Sequence, residues 1–184
     1  MASNAKKIRH LIIARLAHEF SNPLGTLYNA LEVLEEADIK TREQSINLAK
    51  RSAQKIVTRL KFYTLAYGGS PSWDMDLINN FLKDKNIRLS MTDTPNDLEI
   101  ALNLLAFFAE IAAPEAHIKC TANQLSLSDF VLVDDPILDV LKGISHDTLT
   151  PRAYQAYVTA ASVKDHNKKL HLETTHKTLT ITIQ

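Results

Sequence analysis

Apolar residues in the first third of the chain recur at helical intervals. Ile8, Ile12, Leu16, Phe20, Leu24, Leu27, Leu31 and Leu34 follow one another at steps of three or four, which is the spacing of one helix face. The pattern predicts a helix from about residue 5 to about residue 38. A bend is expected at Pro23, because proline removes a backbone donor and crowds the carbonyl four residues earlier. With Leu16 set at 0° and about 100° per residue, Phe20 falls near 40°, His18 near 200°, Ser21 near 140°, Asn22 near 240° and Gly25 near 180°. His18 is therefore expected on a face of small and polar side chains. Arg15 and Glu19 fall at the edge of that face, near 260° and 300°.

A second stripe follows. Ile46, Ala49, Ala53, Ile56, Leu60, Tyr63 and Tyr67 alternate steps of three and four, a heptad pattern. Thr41 and Gln44 form a Thr-x-x-Gln capping box that opens this helix. Gly68-Gly69-Ser70-Pro71 closes it. Two long helices joined by a short loop predict an antiparallel hairpin over residues 1–70. A hairpin cannot surround its own apolar stripes, so a second copy completing a four-helix bundle is expected. The alternative is that the rest of the chain covers them.

Beyond Pro71 the pattern shortens. Asp74 to Lys85 reads as a helix, Asn86 to Met91 as a strand, and Thr92 to Asp97 as a turn and helix cap. Asp97 to Ala113 reads as an apolar helix ended by Pro114. His117 to Ala122 and Gln124 to Val133 read as paired strands. Asp135 to Leu141 reads as a short helix, and Thr150-Pro151 as the start of another reaching Val163. Leu170 to Thr174 and Leu179 to Ile183 close as a hairpin. Residues 71–184 are thus expected to form an α/β sandwich of about five strands and three or four helices, making the whole chain α+β.

Composition narrows the function. The 184 residues carry 21 Lys plus Arg against 21 Asp plus Glu. A general nucleic-acid binder would need a basic excess to neutralise phosphates. One cysteine, Cys120, leaves no internal disulfide and fits a reducing cytoplasm. No apolar run reaches the length of a membrane span, and Met-Ala-Ser-Asn-Ala-Lys-Lys leads into the first helix without a signal-peptide pattern. The expectation is a cytoplasmic protein carrying no sensor or anchor on this chain.

A lone histidine on a wet helix face is usually a solvated residue. Here its neighbours add weight, since Pro23 and Gly25 both break helical rules, and such breaks gather at functional sites. Arg51, Lys55 and Arg59 recur every four residues on the second helix and could steer an acidic partner toward His18, or form a solvated face. His166, His171 and His176 match no zinc spacing, and the His-x-x-Cys pair His117 and Cys120 has no visible second ligands.

Arg15-Leu16-Ala17-His18-Glu19-Phe20-Ser21-Asn22-Pro23-Leu24-Gly25 resembles the H-box of two-component histidine kinases, with its His-Glu pair and a proline five residues after the histidine. A helical hairpin followed by a small α/β domain also resembles the dimerisation and catalytic domains of those kinases. The similarity is greatest to the ChpT-type histidine phosphotransferases, with Tyr28-Asn29-Ala30-Leu31-Glu32-Val33-Leu34 in the place of their second motif. It is strong around His18 and mainly architectural after Pro71. ATP binding in the kinase fold needs an Asn-bearing helix and glycine-rich segments. Asn103 stands on the corresponding helix, but Phe107 and Phe108 follow one turn later. No Asp-x-Gly-x-Gly occurs, and Asp134-Asp135 is followed by Pro136. The expected second domain is therefore a degenerate one that has lost ATP binding.

The resemblance implies a phosphorelay. His18 would accept a phosphoryl group from a receiver-domain aspartate, as of a hybrid histidine kinase, and pass it to a response regulator. A free imidazole, with an ordinary pKa of about 6.5, is mostly neutral at cytosolic pH and nucleophilic. Glu19 would orient the ring or take its proton. Arg15, Ser21 and Gly25 would shape the contact surface with Arg51, Lys55 and Arg59. No cofactor is expected in this chain, since Mg²⁺ would sit in the receiver. Glu19-x-x-Asn22 also resembles the Glu-x-x-Asn/Thr pattern of kinases that dephosphorylate their regulators. The remaining alternatives are thus a regulator phosphatase and a non-catalytic dimeric scaffold that binds receivers.

Overall fold

In the computed structural model, residues 2–36, 38–68, 70–131, 135–144 and 153–184 are described, without the side chains of 2–12, 15, 35 and 36. The chain divides into two compact units, Met1–Phe62 and Tyr63–Gln184.

The first unit is built from α1 (Ala2–Glu36) and most of α2 (Ile39–Tyr67). α1 runs through Pro23 as a single α-helix. Asp38 caps α2: its Oδ1 accepts the Thr41 N–H at 2.8 Å, and its carbonyl accepts the Arg42 N–H at 2.9 Å. The helix thus starts earlier than the Thr41 capping box implies, because aspartate is the better N-cap and Thr41 is left inside the first turn. The Thr41 N–H also holds the Asp38 carboxyl below its ordinary value.

The apolar stripes are only partly buried. On α1 the buried residues include Glu19, Pro23 and Ala30, whereas Leu24 and Leu31 are each 50% exposed. On α2, Ser45, Ala49 and Ser52 are buried, whereas Ile46 is 42% and Leu60 57% exposed. The buried row of α2 continues through Arg59, which is largely covered. Each buried row is offset by about one residue from the large apolar side chains, roughly 100° around the helix. Small side chains in such a row let helix backbones approach closely.

The second unit starts with the last turn of α2. Tyr63 stacks on Tyr67, with ring centroids 5.6 Å apart, and meets Phe81 edge-on at 5.8 Å. Gly68 follows; a Cβ there would lie 2.3 Å from the Thr64 carbonyl oxygen, so the chain can turn off the helix there only with glycine. Then come α3 (Met75–Lys83), β1 (Arg88–Met91), α4 (Leu98–Ile111), β2 (Ala112–Cys120) and β3 (Gln124–Phe130), followed by α5 (Asp135–Leu141), α6 (Tyr154–Asp165), β4 (Leu170–Thr174) and β5 (Thr178–Ile183). Asp74 and Asp97 cap α3 and α4 by accepting the Leu77 and Ile100 N–H groups at 2.9 and 3.2 Å. The Thr150-Pro151 start expected for α6, and Leu132 and Val133 of the expected third strand, lie outside the described residues.

The five strands form one mixed sheet in the order β1-β2-β3-β5-β4, parallel at β1/β2 and antiparallel elsewhere. Alternation sets its faces. Ile118, Cys120, Leu125, Leu127, Leu179, Ile181 and Ile183 are buried, while His117, Lys119, Ser126, Ser128, Thr180 and Thr182 face the other way. α4 covers the apolar side and is buried almost all round from Ile100 to Ala109, as an all-apolar helix must be.

Pro114 does not separate α4 from the next strand as the sequence implies. α4 ends at Ile111, Ala112 is already extended, and β2 begins there, well before the expected His117. A residue near a following proline avoids helical backbone. β2 accommodates the proline through a register shift between Ala112 and His117, where Glu115 adopts φ +67° and donates its N–H to the Asn86 carbonyl at 2.9 Å.

Candidate functional site

α1 presents His18 on an exposed stretch. Ala17, His18, Ser21, Asn22 and Gly25 are all exposed, and a Cβ at Gly25 would meet nothing within 4 Å. The Ser21 hydroxyl donates to the Ala17 carbonyl at 2.6 Å and the Thr26 hydroxyl to the Asn22 carbonyl at 3.0 Å. Such back-bonding is the usual way a helix accommodates these residues, and Asn22 itself is exposed. The result is an exposed imidazole among short side chains, with room for a broad surface to approach.

Glu19 lies apart from that surface. It is 6% exposed, and its Oε2 lies 3.4 Å from Arg59 Nη1 of α2. The same nitrogen donates to the Glu19 backbone carbonyl at 2.5 Å. Arg59 is thus turned toward α1, while Arg51 and Lys55 are exposed. The structure brings together His18, Ser21, Asn22 and Gly25 on one exposed stretch and separately pairs Glu19 with Arg59. The side chain of Arg15 lies outside the described residues. Sequence reasoning did not foresee the Glu19–Arg59 contact. Two signals were present: Glu19 stands four residues before Pro23, and Arg59 continues the heptad of Ser45, Ala49, Ser52 and Ile56.

In the second unit, Asn103 is 1% exposed and its amide is fully engaged. Nδ2 donates to the Glu99 carbonyl at 2.9 Å and the Ala66 carbonyl at 3.3 Å. Gln155 Nε2 donates to the Asn103 carbonyl at 3.1 Å and approaches Oδ1 at 3.4 Å. The Tyr67 hydroxyl donates to Gln155 Oε1 at 2.6 Å. Burial, with Tyr154, Tyr63 and Glu110 nearby, pushes the Tyr67 phenol well above its ordinary value, so it stays a donor. Asn103 therefore ties α4 to the end of α2 and to α6.

The histidines considered as metal ligands lie on separate elements. His166 ends α6, His171 on β4 meets Glu173 at 3.2 Å, and His176 is in the following turn. Burial pushes the Cys120 thiol up to about 11. Among the described residues no group of three His, Cys, Asp or Glu side chains could hold a metal ion, and no helix is long and apolar enough to cross a membrane.

No family model matches the chain. The protein phosphotransferase ChpT of Brucella abortus (strain 2308) is 36% identical over 62 residues, which are 34% of this chain and 29% of that protein. The match thus spans under a third of that relative's length. A solved bacterial phosphotransferase superposes over 98% of this chain and 97% of its own, with a TM-score of 0.77 and 18% identity. A histidine kinase AdeS of Acinetobacter baumannii aligns over 90% of this chain and 95% of its own, at a TM-score of only 0.38 and 11% identity. Over the 62-residue stretch the chain is similar in sequence to the ChpT phosphotransferase, and over its full length it has the α+β fold of a solved bacterial phosphotransferase.

Proposed function

We propose that this protein is the histidine phosphotransferase of a two-component phosphorelay and that His18 carries the phosphoryl group. The supporting observation is the placement of His18: an exposed imidazole on an unbroken helix, flanked by Ala17, Ser21, Asn22 and Gly25. A receiver domain brings a bulky active-site rim around its phosphoaspartate, and only short neighbours let that rim approach a helical histidine. One imidazole nitrogen attacks the phosphorus. The P–N bond forms as the P–O bond to the aspartate breaks, and the electron pair leaves with the carboxylate. The ring N–H proton passes to water, and the reverse steps load a response regulator. Catalysis is mostly in-line positioning, with Mg²⁺ held by the receiver. Two copies joined through the exposed apolar residues of the hairpin form the working unit.

The test is transfer of radiolabel from a phosphorylated receiver to this protein, compared with His18→Gln. Acid-labile label is expected on the parent and absent from the variant. The exposed Asn22 amide, one turn from His18, favours a second reading, that of a regulator phosphatase. Loss of phosphate from the receiver without labelling of this chain, abolished by Asn22→Ala, would select it. Binding of receivers with no movement of phosphate would leave a scaffold.

A further inference from the structure

We propose that Arg59 is a positioning residue for His18, working from behind the exposed face by clamping the proline break in α1. The proposal rests on the phosphotransferase reading above. Pro23 has no N–H. In a continuous helix that N–H would serve the carbonyl four residues earlier, which is the carbonyl of Glu19, the residue next to His18. The proline ring also crowds that carbonyl and tilts it outward. Yet α1 continues unbroken from Ala2 to Glu36.

Arg59 supplies the missing donor. Its Nη1 donates to the Glu19 carbonyl at 2.5 Å and lies 3.4 Å from Glu19 Oε2. The side chains are 16% and 6% exposed, so the contact is shielded from water, where charge-assisted bonds are strong. One guanidinium thus performs two tasks. It fixes the peptide plane between Glu19 and Phe20, one residue past His18, and so holds the turn of helix from which the imidazole leaves. It also matches the Glu19 carboxylate with positive charge, so that a phosphoryl group on the neighbouring residue does not meet an unmatched buried anion. Arg51 and Lys55 are exposed on the same helix.

The experiment uses the full chain with two donors: a phosphorylated receiver domain and phosphoramidate, which labels histidine without any protein partner. Arg59→Gln and Arg59→Lys are each made in the parent and in Pro23→Ala, which returns an N–H to the Glu19 carbonyl. Arg59→Gln is expected to lower the maximal rate of His18 phosphorylation by roughly 10- to 100-fold, the scale of a misplacement of about 1 Å. The receiver concentration giving half-maximal rate stays unchanged. Pro23→Ala recovers most of that loss, and Arg59→Lys, a point charge without the planar fork, falls between. A raised half-maximal concentration at unchanged maximal rate would overturn the proposal and make Arg59 a docking cation. A loss identical with and without Pro23→Ala would also overturn it. Should Arg59→Gln fail to fold, the Arg59→Lys pair gives the same comparison. If the parent takes phosphate from phosphoramidate but from no receiver, the phosphorelay reading fails, and the rescue pattern with phosphoramidate still decides the clamp.

Discussion

At the scale of single residues, Gly25 separates helix stability from surface function. It lies inside α1, exposed, with open space where a Cβ would be. Glycine in a helix interior costs about 1 kcal/mol relative to alanine. Gly25→Ala is therefore expected to stabilise the chain by about 0.5–1 kcal/mol, read as a raised urea midpoint at unchanged slope. Gly25 stands two turns from His18 at nearly the same azimuth, about 10.5 Å along the axis. If its emptiness serves partner approach, Gly25→Trp will slow phosphate transfer from a receiver while leaving labelling by phosphoramidate intact. Equal rates from the receiver would mean that the docking rim does not reach this turn. Asn103 presents the opposite case. Asn103→Leu removes the donor to the Ala66 carbonyl and the Oδ1 partner of Gln155. Burying those groups unsatisfied costs about 1–3 kcal/mol, so a clearly lowered denaturation midpoint is expected.

At the scale of elements, the end of α6 supplies a pH signature. His166 Nδ1 lies 2.9 Å from the Ser162 carbonyl, and Nε2 lies 3.9 Å from Glu99 Oε2. The Ser162 carbonyl, foremost, together with Asp97, Glu99 and Asp165, raises the His166 pKa above its ordinary value of 6.5. A raised folded-state pKa means that protonated His166 adds stability fully below the unfolded value. The contribution fades as pH climbs through the folded one. His166→Gln should therefore destabilise the protein more at pH 5.5 than at pH 8, a difference that thermal melts at the two values will read. Equal losses would show that the charge plays no part. Most elements were legible in the sequence because periodicity reports them directly: α3, α4, α5, the β2/β3 pair and the β4/β5 hairpin stand close to their expected places. Boundaries were less legible where two local rules compete. Asp38 outcompetes Thr41 as a cap, and Pro114 is absorbed in a bulged strand that only the β3 partner specifies. At the site, the wheel of α1 placed His18, Ser21, Asn22 and Gly25 on an exposed face, where the structure has them. It could not show that Glu19 turns to Arg59, because that contact depends on how the helix meets α2.

At the scale of the whole molecule, the hairpin leaves several large apolar side chains exposed. Ile13, Leu24, Tyr28 and Leu31 of α1 are 50–67% exposed, and Ile46, Val57 and Leu60 of α2 are 42–57% exposed. On each helix they fall within a sector of roughly 60°, beside the row of small and polar residues that is buried. A stripe of this kind on both helices is an unfinished core, which the same stripe on a second copy would complete as a four-helix bundle, the dimer proposed above. Each leucine so covered contributes about 1.5–3 kcal/mol, so two central substitutions suffice to test the arrangement. Leu31→Glu with Leu60→Glu is expected to convert a dimer into a monomer in light scattering. The parent's urea midpoint should rise with protein concentration, as mass action requires, and that of the double variant should not. A double variant that remains dimeric would place the interface elsewhere. Because Ser21 lies next to this sector on α1 and His18 one step of about 60° further round, the monomeric variant also reports whether a receiver needs both copies. Labelling by phosphoramidate that survives while labelling by the receiver is lost would mean that the docking surface is assembled across the bundle.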